Sequence, residues 1–279
     1  MGFEGKAAVI TGGATGIGKA LARRLCAEGM HVVIASTNAD RLTVAADELN
    51  AEGGRVTPIV CDVSDREAVR ALAARVEKDM GGTHLLCANA GGSTTGPLLD
   101  HSDGDWDWVI DVVFRGVTNC VQAFYPAMAQ RGSGKILITG SHMGCAPDMI
   151  INHGPYVAAK GGVHALAASL RPEAAKHGVG VSLLVPAMTD TDMVASPQRA
   201  RQSRYGPAAE GKGIELREGA APALANFPRA MSSAEVAERA LVGLKADIGI
   251  IATHAAMMHS VRDYADRVVA AYEDAANFA

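Results

Sequence analysis

Short runs of apolar residues alternate with longer stretches of helical periodicity along most of the chain. The apolar runs predict β-strands at 7–11, 31–36, 56–60, 85–88, 136–139, 181–185 and 248–252. The stretches between and after them predict α-helices at 17–29, about 39–52, about 106–130, 156–177, 233–246 and about 256–276, with a further helix opened by Ser64 or Asp65. Ser102, followed three residues later by Asp105, also indicates a helix start.

The strands do not alternate between apolar and polar residues, and each is followed by a helix. This pattern is typical of a parallel sheet that is covered on both faces. We therefore expect an α/β fold: a doubly wound parallel sheet of about seven strands with helices on both faces. With 279 residues, of which 48% are hydrophobic, the chain is expected to form a single domain.

The segment from about 187 to 230 breaks this rhythm. It is weakly periodic, rich in proline, glycine, alanine and arginine, and much longer than an ordinary connection. We interpret it as a lid over a substrate site. A C-terminal strand and helix unit at about 232–279 follows it.

The composition argues against several kinds of partner. The 26 lysines and arginines are spread along a chain of net charge −4, which argues against nucleic acid. No apolar stretch approaches the ~18 residues that span a bilayer, and the first residues lack a signal-peptide pattern, so we expect a cytoplasmic protein without a membrane partner. No metal site is predicted, because the five cysteines form no C-x-x-C pair and His254 and His259 are not spaced as a zinc pair.

A glycine cluster follows the first predicted strand. Gly12, Gly16 and Gly18 are spaced so that the main chain can turn tightly and approach a pyrophosphate at the N-terminus of the next helix. The same glycines would also suit a merely tight turn. The nucleotide interpretation therefore depends on further matches.

The end of the second predicted strand bears on which nucleotide would bind. Ser36, Thr37 and Asn38 stand where NAD enzymes usually place an acidic side chain for the ribose hydroxyls. Without that negative charge a 2′-phosphate is not repelled, and Ser36 and Thr37 would donate hydrogen bonds to it. No arginine or lysine stands at Thr15 or Thr37 to complete the charge. We predict NADP as the cofactor, and NAD stays open as the alternative.

Ser141 follows the fifth predicted strand, and Tyr156 and Lys160 stand four residues apart in GPYVAAK. With the glycine cluster, this ordered series resembles the short-chain dehydrogenase/reductase family over about residues 5–193. The matching positions are Thr11, Gly12, Gly16, Ile17 and Gly18 in the glycine motif, Asp62 and Val63 at the adenine, Asn89, Ala90 and Gly91, the catalytic Ser141, Tyr156 and Lys160, and Thr191 at the nicotinamide carboxamide. The resemblance implies a Rossmann fold that binds the cofactor through these motifs, with Ser36, Thr37, Pro186 and Thr189 also in contact. It also implies a homodimer or homotetramer that assembles through the helices at 106–130 and 156–177.

The resemblance further implies an oxidoreductase that moves a hydride between NADP(H) and a secondary alcohol or its ketone. Oxidation requires the alcohol proton to leave as the hydride does, and a tyrosinate at Tyr156 can take it. The Lys160 ammonium, one helical turn away and beside the positive nicotinamide ring, is expected to lower the pKa of Tyr156 from its usual value of about 10. Lys160 would also reach the nicotinamide ribose, and Ser141 would hold the substrate oxygen.

Three positions depart from the family's pattern. Val113 stands where an asparagine ordinarily anchors a water in the proton relay behind the lysine. Asn119 lies more than a turn and a half further along the helix, which makes it a poor substitute. Gly140 replaces a serine and Ala187 a glycine, which are milder changes. Val113 keeps a second interpretation open: a catalytically impaired cofactor-binding protein that acts as a sensor or scaffold.

The substrate side is predicted to be apolar and adaptable. The residues expected to line it are Ser141, His142, Met143, Met149, Met188 and Met193. This set indicates a bulky hydrophobic or aromatic alcohol or ketone. The region also looks loosely similar to bacterial dehydrogenases that oxidise benzylic alcohols of lignin-derived aryl ethers.

Overall fold

The computed structural model describes residues 2–191, 201–208, 213–218 and 230–276. Its strands are β1 (Ala7–Thr11), β2 (His31–Ser36), β3 (Arg55–Val60), β4 (Leu85–Ala88), β5 (Gly134–Thr139), β6 (Ile150–Ile151), β7 (Val179–Val185), β8 (Thr189–Asp190), β9 (Glu215–Leu216), β10 (Met231–Ser232) and β11 (Ile250–Ala252). Its helices are α1 (Gly16–Ala27), α2 (Ala39–Ala51), α3 (Arg66–Met80), α4 (Asp103–Val109), α5 (Gly116–Arg131), α6 (Gly154–Ala175), α7 (Ser233–Lys245) and α8 (Met258–Ala276).

Seven strands form one sheet in the order β3-β2-β1-β4-β5-β7-β11, and every neighbouring pair in it is parallel. Both faces are buried. Val9 of β1 packs into a core with α3, α5 and α6, whereas Ala8 and Ile10 pack into a second core with α1, α2 and α7. Because both faces are apolar, the strands need no polar alternation. The predicted doubly wound α/β fold, in a single domain, is confirmed.

The long helix predicted at 106–130 differs from the observed structure. A capping box starts α4 earlier: Ser102 Oγ accepts from the Asp105 N–H, and the Asp105 carboxylate accepts from the Ser102 N–H at 2.9 Å. The apolar periodicity begins only after this polar turn, so it could not show the start. A π-helical turn at Ile110–Arg115 then joins α4 to α5. Such a turn adds a residue without changing the apolar character, and periodicity does not reveal it.

Only parts of the predicted lid at 187–230 belong to the described residues. There β8 pairs with β10, and β9 pairs antiparallel with β6. The Arg217 N–H donates to the Met149 carbonyl at 3.1 Å, which extends the second pairing. The described pieces therefore border the segment that follows β5.

The chemistry of the described residues sets some limits. None of the helices within them is both long and apolar enough to cross a membrane. Nor do these residues include a group of three or more histidine, cysteine, aspartate or glutamate side chains placed to hold a metal ion. All five cysteines are free thiols.

Candidate active site

A cavity of about 730 Å³ opens at the carboxyl ends of the central strands. The strand order reverses between β1 and β4, and doubly wound folds bind ligands at this point. Most of the residues predicted from the sequence line the cavity: Gly12, Gly16, Ile17, Ser36, Thr37, Asp62, Val63, Asn89, Ala90, Gly91, Ser141, His142, Met143, Met149, Tyr156, Lys160, Pro186, Met188, Thr189 and Thr191. Thr11 and Gly18 are buried beside the cavity rather than lining it, and Met193 lies outside the described residues.

The glycine cluster forms the turn from β1 into α1. Gly12 has a φ of +66°, and a Cβ there would lie 2.9 Å from the Ala90 Cα. A Cβ on Gly18 would lie 2.1 Å from the Gly12 carbonyl oxygen. The N-cap residue of α1, Thr15, makes no capping hydrogen bond with its side chain. The first N–H groups of the helix are thus left for a ligand, and a pyrophosphate fits the cradle.

Asn89 ties the ends of three strands together. The Thr11 side-chain oxygen accepts hydrogen bonds from the N–H groups of Asn89 and Ala90, at 3.0 and 3.1 Å. The Asn89 amide donates to the Thr11 carbonyl and accepts from the Thr139 hydroxyl, both at 3.1 Å. The role of Thr11 in this structure is therefore to support the wall of the cavity from behind.

Ser141, Tyr156 and Lys160 come together beside this junction. Ser141 follows the last residues of β5, and Tyr156 and Lys160 lie on the first two turns of α6, which Pro155 helps to start. All three are buried. The Lys160 ammonium donates to the Thr139 carbonyl at 2.6 Å and lies 5.6 Å from the centre of the Tyr156 ring.

Burial dominates the ionisation of this pair. It raises the pKa of Tyr156 to about 12, although a hydrogen bond with Ser141 acts in the opposite direction. Burial also lowers the pKa of Lys160 to about 7. Each group is pushed towards its neutral form, because a buried charge loses its hydration. The lowering of the Tyr156 pKa that is expected from Lys160 beside a positive nicotinamide ring stays a prediction for the cofactor-bound protein.

Val113 lies in the π-helical turn and is completely buried in the apolar core. The Asn119 amide nitrogen donates to the Val63 carbonyl at 2.9 Å, whereas its Oδ1 is buried without a partner among the described residues. In a π-helical turn the main-chain hydrogen bonds run from i to i+5 instead of i to i+4. Val113 itself brings no side-chain oxygen to the relay position.

His153 stacks on the Tyr156 ring, with centroids 4.6 Å apart and planes 10° apart. Its Nε2 lies 2.5 Å from the Ser93 hydroxyl oxygen, and its Nδ1 is buried without a partner among the described residues. Burial lowers the pKa of His153 to about 4, so the ring is neutral near neutral pH. The His153 imidazole therefore holds the plane of the Tyr156 ring by stacking on it, and it does so without a charge.

Arg41 is a residue that the sequence reasoning missed. It lines the cavity beside Ser36, Thr37 and Asn38, and the Asn38 side chain accepts from its N–H at 2.9 Å. Its guanidinium has no ion-pair partner in the described part of the chain. Thr15 and Thr37, which adjoin the motifs, carry no charge, whereas Arg41 stands four residues beyond Thr37. The sequence feature that could have revealed Arg41 is Asn38, because an N-cap at that position places Arg41 in the first turn of α2.

At the adenine side, Asp62 already has partners. One carboxylate oxygen accepts from the Ser64 hydroxyl at 2.5 Å, and the other accepts from Arg204 at 2.9 Å. Arg204 belongs to residues 201–208, the described part of the predicted lid. This contact links the lid segment to the nucleotide half of the cavity.

The part of the cavity predicted to face the substrate is lined largely by apolar side chains. The predicted Met143, Met149 and Met188 line it, and four further side chains join them: Trp108, Ile150, Ile214 and Met257. His142 lies in the same wall, but its Nε2 is 2.8 Å from the Ser260 hydroxyl oxygen of α8. Burial lowers the pKa of His142 to about 4, so it adds no charge near neutral pH.

Comparisons with known proteins agree with this arrangement. The family model for short chain dehydrogenases matches residues 6–202. Oxidoreductase UcpA of Salmonella typhimurium is 35% identical over 203 residues, which cover 72% of this chain and 75% of that protein. A short chain dehydrogenase/reductase from Burkholderia phymatum, solved in complex with NAD, is 31% identical with a TM-score of 0.84 and covers 94% of this chain and 93% of its own.

A metagenomic short-chain oxidoreductase, solved in complex with NADP, is 27% identical with a TM-score of 0.70 over 90% of this chain and 98% of its own. Structural similarity therefore extends to proteins that bind either nucleotide. The family match covers most of the chain and includes the glycine cradle and the Ser141, Tyr156 and Lys160 cluster. This chain belongs to the short-chain dehydrogenase/reductase family, whose members are NAD(P)-dependent oxidoreductases acting on CH–OH groups.

Proposed function

We propose that the protein transfers a hydride between NADP(H) and a secondary alcohol or its ketone, with Tyr156 as the general acid and base. The observation that carries this proposal is the convergence of Ser141, Tyr156 and Lys160 on the cavity that also contains the glycine cradle. The bound nicotinamide would supply or accept the hydride. The chain itself has to bind and orient both reactants and to move one proton.

Proton transfer is assigned to the Tyr156 hydroxyl. Because burial raises its pKa to about 12, the phenol is protonated near neutral pH and can donate to the oxygen of a ketone as that oxygen gains charge. In the oxidative direction the phenolate has to form, and a charged Lys160 stabilises it. Ser141 lies in hydrogen-bond contact with Tyr156, so its hydroxyl is positioned to hold the same substrate oxygen.

Lys160 is suited to pass the proton on. Its pKa of about 7 allows it to gain or lose a proton near neutral pH, and its hydrogen bond to the Thr139 carbonyl holds it behind the tyrosine. With Val113 at the relay position, we propose that a main-chain carbonyl of the π-helical turn replaces the asparagine.

Val113 also supports a second candidate, a cofactor-binding protein with impaired catalysis. Val113→Asn separates the two. If wild-type protein binds NADP(H) without turnover and Val113→Asn gains turnover, the relay is broken in this chain and the second candidate is correct. Similar turnover in both proteins supports the main-chain relay.

Arg41, Ser36 and Thr37 support the preference for NADP. An arginine beside two hydroxyls can pair with a 2′-phosphate, and the described structure gives its guanidinium no competing carboxylate. Arg41→Gln is expected to lower kcat/KM with NADP by about 10-fold or more, while kcat/KM with NAD stays nearly unchanged. Equal or better efficiency of the wild type with NAD would refute the preference.

The apolar wall of the cavity, which includes Met143, Met149 and Trp108, supports a bulky hydrophobic or aromatic substrate. Absorbance at 340 nm, followed with both cofactors against aromatic and alicyclic alcohols and ketones, tests this. Turnover of large aromatic substrates above small polar ones is expected. A preference for small charged substrates would contradict the assignment.

We also propose that residues at about 187–230 form the substrate lid and that the protein is a cytoplasmic homodimer or homotetramer. The contact of Arg204 with Asp62 supports the lid, since it joins the segment to the cavity wall. The assembly would use α4, α5 and α6. Light scattering coupled to size-exclusion chromatography distinguishes a monomer of 28.8 kDa from either assembly.

A further inference from the structure

The main-chain N–H of Ser141 has a side-chain acceptor. The N–H groups of its two neighbours, Gly140 and His142, donate at 2.7 and 2.8 Å to carbonyl oxygens of β7 and of the residue that follows it. Successive N–H groups of an extended chain point in opposite directions, so the Ser141 N–H points away from β7. On that side β4 pairs with β5 only as far as Ile138. His164 Nε2 accepts the hydrogen bond instead, at 3.2 Å.

The His164 ring fits between two glycines. A Cβ on Gly140 would lie 2.5 Å from His164 Nε2, and a Cβ on Gly144 would lie 2.5 Å from His164 Cδ2. Real Cβ atoms do not approach other atoms this closely, so a side chain at either position would displace the ring. This contact gives a physical reason for Gly140, where the family usually has a serine.

The tautomer of His164 follows from its partners. Because Nε2 accepts from an N–H group, the proton of the neutral ring is on Nδ1, which lies 3.7 Å from the Cys145 sulfur. Burial, and then the charge of Lys160, lower the pKa of His164 to about 4. The ring is therefore neutral near neutral pH, and its Nε2 lone pair is available to the Ser141 N–H.

We propose that His164 is a positioning residue for Ser141. Its hydrogen bond fixes the main chain of the catalytic serine, and its ring forms one packed unit with Gly140 and Gly144. The inference rests on the proposed function, since it concerns the same site. His164 lies one helical turn beyond Lys160 on α6. The helix that carries the tyrosine and the lysine thus also sets the position of the serine loop.

Two substitutions at one position separate the hydrogen bond from the packing. His164→Leu fills similar space but offers no acceptor, and we expect kcat to fall about 10- to 100-fold because the serine hydroxyl is misplaced. The Kd for NADP(H) is expected to stay the same, since His164 does not line the cavity. His164→Gln supplies an amide oxygen at a similar reach and is expected to restore most of the kcat. Wild-type kcat in His164→Leu, or equal losses in both variants, would overturn the inference.

A second pair tests the packing. Gly140→Ser alone is expected to lower kcat, because its Cβ would displace the ring. Gly140→Ser combined with His164→Ala is expected to lose no more kcat than His164→Ala alone, since the ring that the serine Cβ would displace is already absent. Losses that simply add would contradict the packed unit.

Amide hydrogen exchange at Ser141, measured by NMR, reads the same contact without any turnover. We expect slow exchange in the wild type and in His164→Gln, and faster exchange in His164→Leu. Equal exchange in all three would overturn the inference even if the proposed function holds. A wild type that shows slow exchange but reduces no ketone would instead refute the proposed function and leave the contact established.

Discussion

Arg201 and Asp105 form a buried ion pair whose disruption from one side should strongly destabilise the fold. Arg201 donates to Asp105 Oδ1 at 2.6 Å, and the two side chains are 3% and 0% exposed. The guanidinium also donates to three main-chain carbonyls, those of Tyr205, Gly206 and Pro207. Arg201→Met keeps much of the aliphatic volume and removes the charge and these donors. Asp105 would then lose this cation and keep its hydrogen bonds with Ser102.

Breaking a buried pair from one side costs about 3–5 kcal/mol, because one charge is left uncompensated. Arg204→Met is the matched control. Arg204 lies three residues further along and pairs with Asp62 at 2.9 Å, but its side chain is 51% exposed, so its loss should cost only about 0–1 kcal/mol. The free energy of unfolding is measured by urea denaturation of both variants and the wild type at the same pH and salt concentration.

We expect Arg201→Met to lose several kcal/mol and Arg204→Met to match the wild type within error. A loss below about 1 kcal/mol in Arg201→Met would contradict the reasoning. It would show that residues 201–208 can detach without unfolding the domain, so that Asp105 recovers its hydration.

Three further predictions concern the site. Gly18→Ala should weaken NADP(H) binding at least about 10-fold in a fluorescence titration. The Cβ of the alanine would lie 2.1 Å from the Gly12 carbonyl oxygen and distort the cradle. An unchanged affinity for NADP(H) would contradict this prediction. The free energy of unfolding should rise between pH 7.5 and pH 9.5, and it should rise more in the wild type than in Lys160→Met. Because the pKa of Lys160 is lowered to about 7 in the folded protein, the folded state binds fewer protons than the unfolded state in this pH range. Parallel pH profiles would show that Lys160 is not desolvated. His153→Phe, which keeps a ring against Tyr156, should retain more kcat than His153→Ala; the reverse order would exclude the stacking role.

The sequence was sufficient for the parts of the fold that follow from local pattern. Apolar runs such as Ala7–Thr11 and His31–Ser36 were located because a strand buried on both faces has few polar residues. The π-helical turn at Ile110–Arg115 was not predicted, because its residues have the same apolar character as those of a continuous α-helix. Register and hydrogen-bond shifts of this kind depend on packing against α6.

The predicted site residues were those whose chemistry is tied to a motif. Ser141, Tyr156 and Lys160 needed only their type and spacing. Arg41 and His164 were missed because their relevance arises from where α2 and α6 place them, next to residues that are distant in sequence. The effect of burial on the pKa values of Tyr156 and Lys160 was missed for the same reason: the sequence indicated a neighbouring cation, but not how deeply both groups are buried.

The most direct test of the account is the steady-state rate of Tyr156→Phe, with a substrate that the wild type reduces, beside its Kd for NADP(H). The variant keeps the ring that stacks on His153 and loses only the hydroxyl. We predict a fall in kcat of about 10²- to 10⁴-fold, with the affinity for the nucleotide unchanged. A variant that reduces the ketone at the wild-type rate would contradict the assignment of proton transfer to Tyr156, on which the proposed function depends.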